Sequence, residues 1–277
     1  MTTITFTDLR TALFKLGLSH TPVIAHASLK SFGEVVGGAD AVLRALLDSV
    51  WALVMPTFTY ATMVTPQVGP PNNGIRYGSE QDLNRMAEPF SRDMPADKQM
   101  GIIPETLRLH PRARRSIHPI QSFAGIYAEK FLAAQTMQEP LGPIRALAEA
   151  EGWALLLGVD HTVNTSIHYA EVLAGRRTFT RWAVIADRIV ECPGFPGDSA
   201  GFDAITPYVA GITRRVKAGS AYVQAMPLRG LIQIVTERIK ADPLALLCNR
   251  PDCMRCNAVR DSVAADVANG SQVQVPQ

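Results

Sequence analysis

The chain has 277 residues, 47% of them apolar and 19% charged, and its 27 basic and 25 acidic side chains leave a net charge of +2. This is the composition of a folded globular protein and excludes a disordered or fibrous one. A charge so near zero argues against nucleic acid as a partner, and no apolar run approaches the ~18–20 residues of a membrane span. The amino-terminal MTTITFTDLRTALFKLGLSH is amphipathic without a signal-peptide apolar core, so a cytoplasmic protein is expected.

In chain order, Asp8 is expected to cap a first helix over Leu9 to Leu18. Pro22 precedes a short buried strand, Val23 to His26. A loop rich in glycine then runs to Gly38, where a helix from Ala39 to Val50 begins, and a strand over Ala52–Met55 stops at Pro56. This strand–loop–helix–strand unit is the mark of an α/β protein. Thr62 to Gln99 is full of Pro, Gly and Asn and predicts a long functional or mobile loop. Helices are expected at Ile103–Leu109, Ile144–Ala150 and Thr165–Leu173, and strands at Ser122–Tyr127 and Trp153–Val159. The last third predicts strands at Trp182–Ala186, Ala221–Met226 and Gly230–Val235, helices near Ile205–Ala210 and Ala258–Val267, and a frayed tail over 271–277. There is no repeat and no linker, so residues 1–270 are expected to form one α/β domain with a central mixed sheet flanked by helices.

Four groups of residues offer chemistry. In LLLGVDHTVNTSIHYAE a buried strand meets a polar turn and then a helix, and His168 and Glu171, three apart, share a helix face. A carboxylate beside an imidazole fixes its tautomer and makes it a better general base; an exposed polar pair is the plainer alternative. His161, in the turn, is a second polar contact or simply solvated. The loop Ser28–Gly38 has glycines at 33, 37 and 38 that let a backbone approach a ligand, with a helix start behind them suited to phosphate. Arg108, Arg112, Arg114 and Arg115 suit a phosphorylated cofactor or a solvated helix end equally. Cys248, Cys253 and Cys256 have the spacing of a zinc half-site; Cys192 or a histidine would have to supply a fourth ligand, and three reduced, unligated thiols are the competing reading.

HASLKSFGEVVGGADAVLRALL, LVMPTFTYATM, MGIIPETLR with RRSIHPIQSFAG, LLLGVDHTVNTSIHYAE and PGFPGDSAGFDAI occur in that order over nearly the whole chain. In them the sequence resembles the aminoglycoside 3-N-acetyltransferases, the coenzyme A-dependent antibiotic acetyltransferases that are not of the GNAT type. The resemblance implies acyl transfer from acetyl-coenzyme A, or another acyl-coenzyme A, to a small-molecule amine, and a homodimer. It implies His168 and Glu171 as the catalytic pair. It implies a coenzyme A side built from Ser28, Leu29, Lys30, Ser31, Phe32, Gly33, Val35, Val36, Gly37, Gly38, Met100 and Gly101. Backbone amides near Ser28–Lys30, or the hydroxyl of Thr165 or Ser166, are candidate oxyanion donors.

The chain departs from the resistance enzymes between Met63 and Gln99. That span has no tryptophan, and Met94-Pro95-Ala96 stands where the family usually has Thr-Pro-Ser. A basic balance suits a polycationic acceptor poorly. Two acceptors therefore stay open: an aminoglycoside, acylated at its 3-amino group, and an amine of natural-product biosynthesis. Glu80, Asp82 and Glu88, and against them Arg76, Arg85 and Arg92, are the charges expected near the acceptor. A scaffold without catalysis, using zinc for protein contact, is the reading from a different class.

Overall fold

The structure is a computed structural model that describes residues 3–79 and 81–268; the expected tail 271–277, Glu80 and the side chain of Asp82 lie outside the described residues. Seven strands form the central sheet: β1 (Pro22–Ala27), β2 (Ala52–Pro56), β3 (Arg114–Arg115), β4 (Phe123–Ile126), β5 (Trp153–Leu157), β6 (Arg214–Ala218) and β7 (Ala221–Pro227). Their order is β6-β7-β5-β1-β2-β4-β3. β1 runs parallel to β2 and β5, and the outer pairings are antiparallel. The expected mixed α/β sheet is therefore what the chain builds.

Strands buried on both faces must be apolar throughout, which is why VIA, ALVM and WALLL carry almost no polar residue. Their side chains alternate between two cores. Val23, Ala25, Leu53, Met55, Leu155 and Leu157 pack against α1 (Phe6–Lys15), α2 (Gly38–Leu47) and α3 (Ile102–Leu109). Ile24, Val54, Ala154 and Leu156 pack against α4 (Gly142–Glu149), α5 (Ser166–Leu173) and α6 (Leu228–Ala241). The period of two assigns His26 to the face of Ile24, at the end of the central strand.

Several boundaries and one element differ from expectation. α1 starts three residues early: Thr5 is its cap and Asp8 is the third helical residue, each bonding the other's backbone N–H in a capping box. Gly230–Val235, expected as a strand, lies inside α6. Leu228, Leu231, Ile232, Val235 and Ile239 are its buried residues, a helical spacing that local β-branched residues obscured. The edge strand β6, RRVKA, is charged because it faces solvent, and so carries no apolar signal.

A second, three-stranded sheet of Met63–Val64, Phe179–Ile185 and Arg188–Phe195 lies apart from the first. The long segment after Thr62 is tied to it. Asn73 bonds the backbone N–H and C=O of Thr180, the Phe90 N–H donates to the Val184 carbonyl, and Tyr77 meets Trp182 edge to face. The last helix, α7 (Met254–Ala268), begins directly after Cys253. Among the described residues no helix is long and apolar enough to cross a membrane.

Gly142 opens α4 where a Cβ would overlap the carbonyl of Ala134, a backbone group that cannot rotate away. Gly142→Ala is expected to cost about 2–3 kcal/mol and to lower Tm by roughly 5–10 °C. Gly211→Ala, with nothing within 4 Å of the new methyl, should leave Tm within about 2 °C. Calorimetry of the pair checks both; equal Tm values would contradict the packing argument.

Candidate functional site

From β1 the chain crosses to β2 on one side, and it later returns to place β5 on the other. Crevices in α/β sheets form at the carboxyl ends of strands where the order switches in this way. A cavity of about 680 Å³ opens there. His26, Ser28 and Lys30 come from the end of β1, Phe58 and Tyr60 from beyond β2, and Thr165 and His168 from the start of α5. Phe195–Ser199 and Arg255 close another wall.

His168 is 8% exposed. Its Nδ1 lies 2.6 Å from Glu171 Oε2, and Glu171 Oε1 accepts from Arg176 Nη1 at 2.8 Å. Arg176 Nη2 donates to the carbonyls of Pro243 and Ala245 at 2.8 and 2.7 Å. A buried carboxylate needs a partner for each oxygen, and here one is a cation and the other an imidazole N–H. That N–H fixes the tautomer and leaves Nε2 with its lone pair for the cavity. The Phe202 ring meets the imidazole edge to face at 4.8 Å and limits its rotation. The expected His168–Glu171 pair is thus brought together.

A second histidine stands beside it. His26 Nε2 accepts the backbone N–H of Thr165 at 3.1 Å and lies 3.1 Å from Thr165 Oγ1. That acceptor role puts the ring proton on Nδ1, which is buried without a partner. Burial, with the charges of His161 and His168, holds the His26 pKa down to about 3, so the ring is neutral. His26 therefore positions Thr165, whose side chain is on the cavity wall. Ser166, the alternative hydroxyl, is wholly buried and away from the cavity. His161 is buried too, bonded to Asn164 rather than solvated, and burial lowers its pKa.

Of the residues expected on the coenzyme A side, Ser28, Leu29, Lys30, Met100 and Gly101 line the cavity. Leu29–Phe32 is a 3₁₀ turn, and the N–H groups that open such a turn have no partner inside it. Gly101 takes φ 86° as α3 begins, a conformation that side chains resist. Ser31, Phe32, Gly33, Val35, Val36, Gly37 and Gly38 do not reach the cavity. Phe32 is inside the α1–α2 core, Ser31 packs on Gly158, and the strand Glu34–Val35 pairs with Thr3–Ile4. Hydrophobic burial and backbone pairing carry the chain away after Lys30.

None of the four clustered arginines lines the cavity: Arg112 and Arg114 are exposed, and the Arg114 side chain bonds the neighbouring Ala113 carbonyl. Arg108 pairs with Glu105 and Arg112 donates to the Tyr127 hydroxyl. Arg115 is buried against Ser122 and the carbonyls of Thr57, Arg92 and Met94. A second cavity of about 480 Å³ shares Tyr60 with the first and has Arg76 and Glu88 on its walls; Arg92 is exposed elsewhere.

Cys248, Cys253 and Cys256 are buried free thiols, and their sulfurs and an Asp198 oxygen all lie within 4.8 Å of one another. The fourth member is neither Cys192 nor a histidine. Cys192 belongs to a separate core with Phe179 and Phe195, where burial pushes its thiol up to about 12.

Sequence reasoning missed His26, Tyr60, Arg176, Asp198 and Arg255. His26 had a signal, as the one polar residue in the apolar run VIAHA. Arg176 lies five residues after Glu171, within local reach just past the end of α5, whereas Asp198 reaches the cysteines only through tertiary packing.

Residues 24–240 match the aminoglycoside 3-N-acetyltransferase family. The SPbeta prophage-derived aminoglycoside N(3')-acetyltransferase-like protein YokD of Bacillus subtilis (strain 168) is 34% identical over 174 residues, 59% of this chain and 62% of that one. The chain spans about three fifths of the length of the curated relatives it matches. The aminoglycoside acetyltransferase AAC(3)-IVa apoenzyme superposes with a TM-score of 0.76 at 23% identity, covering 94% of this chain and 98% of its own. AAC-IIIb in binary complex with CoASH gives a TM-score of 0.71 at 23% identity, covering 86% of this chain and 97% of its own. At these identities the two structures establish the shared fold.

The buried neutral His26 makes stability depend on pH. Between pH 6.5, where it titrates in the unfolded chain, and about 3, where it titrates when folded, the unfolded chain holds the extra proton. Stability is therefore full above 6.5 and falls as pH drops toward 3, at ~1.4 kcal/mol per pH unit for one proton. His26→Gln should remove about one proton from that slope, read from urea midpoints at several pH values; an unchanged slope would contradict the assignment.

Proposed function

The chain belongs to the aminoglycoside 3-N-acetyltransferase family, and from that premise we propose that it transfers an acyl group, acetyl first, from acyl-coenzyme A to an amine with His168 as general base. The observation that carries this is the relay Arg176–Glu171–His168, buried behind a cavity into which one imidazole nitrogen is free to act. A passive scaffold has no need of an imidazole aimed into a cavity. The relay is what a base that must become imidazolium needs.

An amine at neutral pH is mostly ammonium and is not nucleophilic. Once the acceptor has reached its free-amine form, its nitrogen attacks the thioester carbonyl, and His168 Nε2 takes the proton that the new C–N bond makes acidic. Glu171 stabilises the resulting imidazolium, and Arg176, bonded to its other oxygen, holds it in place. The carbonyl electron pair moves onto oxygen, where aimed donors are worth most. The Thr165 hydroxyl and the N–H groups of Leu29 and Lys30 line the same cavity and support that role. As the carbonyl reforms, the C–S bond breaks and the thiolate takes the proton back from His168. No enzyme nucleophile is needed. None of the cysteines lines the cavity.

Coenzyme A fits the residues present. Leu29, Met100 and Val163 offer an apolar wall to its extended arm, and the exposed Lys30 and Lys98 offer cations to its phosphates. For the acceptor, the family supports an aminoglycoside amine. One observation favours the second reading, a non-aminoglycoside amine. Among the described residues lining the cavity Asp198 is the sole carboxylate, and it is already paired with Arg250 and Arg255. A polycation is drawn to carboxylates, not to this wall. A panel of aminoglycosides and other amines with several acyl-coenzyme A donors, followed by thiol release, decides between them.

His168→Ala should lower kcat by roughly 10²–10⁴-fold while coenzyme A still raises Tm. Glu171→Gln, which keeps the shape and loses the charge, should be milder. Near-normal turnover of the first variant would remove the general-base role, and a more damaging second variant would demand another role for Glu171.

A further inference from the structure

We propose that Cys248, Cys253, Cys256 and Asp198 hold a structural zinc ion that fastens one wall of the cavity to the start of α7. The proposal does not rest on the acyltransferase reading.

The donor set is the first argument. Cys248 and Cys253 sit on the loop before α7 and Cys256 is in its first turn, so one short segment delivers three sulfurs to one point. Asp198 arrives from a loop some fifty residues earlier, and its side chain is 11% exposed. A tetrahedral zinc with Zn–S of about 2.3 Å and Zn–O of about 2.0–2.2 Å needs ligand atoms roughly 3.5–3.8 Å apart. Four ligand atoms already within 4.8 Å of one another reach that arrangement by small side-chain rotations. Three thiolates and one carboxylate suit zinc far better than calcium or magnesium, and a filled tetrahedron leaves no open position for catalysis.

The surroundings are the second argument. Three thiolates, one carboxylate and Zn²⁺ sum to a charge of −2, which a protein interior does not tolerate unpaired. Two arginines stand at the cluster. Arg250 Nη2 lies 2.7 Å from Asp198 Oδ2 and 3.9 Å from Cys253 Sγ, and Arg255 Nη2 lies 3.3 Å from Asp198 Oδ2. Arg260 holds the Cys248 carbonyl, and the Ala200 N–H donates to Asp198 Oδ1. These are the outer contacts that orient ligands around a metal. A disulfide between two of the thiols would leave the third outside the pairing.

The position gives the ion a task. Arg255 Nη1 donates to the Gly197 carbonyl at 2.9 Å. A side-chain carbon on Gly197 would stand 3.9–4.0 Å from the Glu171 carboxylate, so this loop backs the catalytic pair directly. Tying Asp198 to α7 holds the Phe195–Ser199 wall against Glu171.

The test reads metal, not turnover. Full-length protein purified under reducing conditions and equilibrated with zinc, then dialysed, should retain one zinc per chain by elemental analysis. A mercurial reagent should release it in step with three thiols. Cys192→Ser should keep the full content, whereas Cys256→Ser and Asp198→Asn should bind zinc at least about tenfold more weakly. If the cysteine variant fails to fold, cobalt(II) in the wild-type protein should give the intense visible bands of a tetrahedral thiolate site. Absence of stoichiometric zinc, an octahedral cobalt spectrum, a disulfide within the cluster, or loss of zinc from Cys192→Ser would each overturn the proposal. Because catalysis enters none of these readouts, they stand or fall apart from the acyltransferase assignment.

Discussion

One buried negative charge organises the functional half of this molecule. Glu171 is buried on α5, and it is stable there because both carboxylate oxygens are engaged. Arg176 meets that need from one side and is itself held by two backbone carbonyls. His168 meets it from the other. The demand for charge compensation thus fixes the imidazole orientation and tautomer, and the general-base role proposed for Nε2 rests on where Nδ1 is bound.

The sheet decides what that nitrogen faces. Because β1 is flanked by parallel strands on both sides, three strand ends open into the same crevice. β1 contributes His26 and the Ser28–Lys30 turn, β2 leads to Phe58 and Tyr60, and β5 leads through Asn164 and Thr165 into α5. His26 couples two of these ends, since its Nε2 binds the Thr165 amide across the sheet. A neutral imidazole suits that place. It accepts a hydrogen bond without adding a second cation beside His168 when His168 is protonated.

The opposite wall is built on different physics. It has little regular structure of its own, only the stretch from Phe195 through Ser199, and is fixed by arginines that bind its carbonyls and carboxylate. The zinc proposed beneath it would supply the cross-link that a loop without a ladder lacks.

What the sequence determined was local and periodic. The apolar runs of β1, β2 and β5, the spacing of His168 and Glu171, the turn at Ser28–Lys30 and the crowding of Cys248, Cys253 and Cys256 were all legible, because each depends on residues close together in the chain. α6 was misread where β-branched residues masked a helical spacing, and β6 was invisible because a charged edge strand has no apolar face. Tertiary structure alone decided which loop residues meet the cavity: the pull of Phe32 into the core and the pairing of Glu34–Val35 turn the chain away after Lys30. It also supplied His26 to Thr165 and Asp198 to the cysteines. Those partners lie from about fifty to about 140 residues away and are chosen by the cost of leaving a buried charge or hydrogen-bonding group unsatisfied, a condition that exists only once the chain has folded.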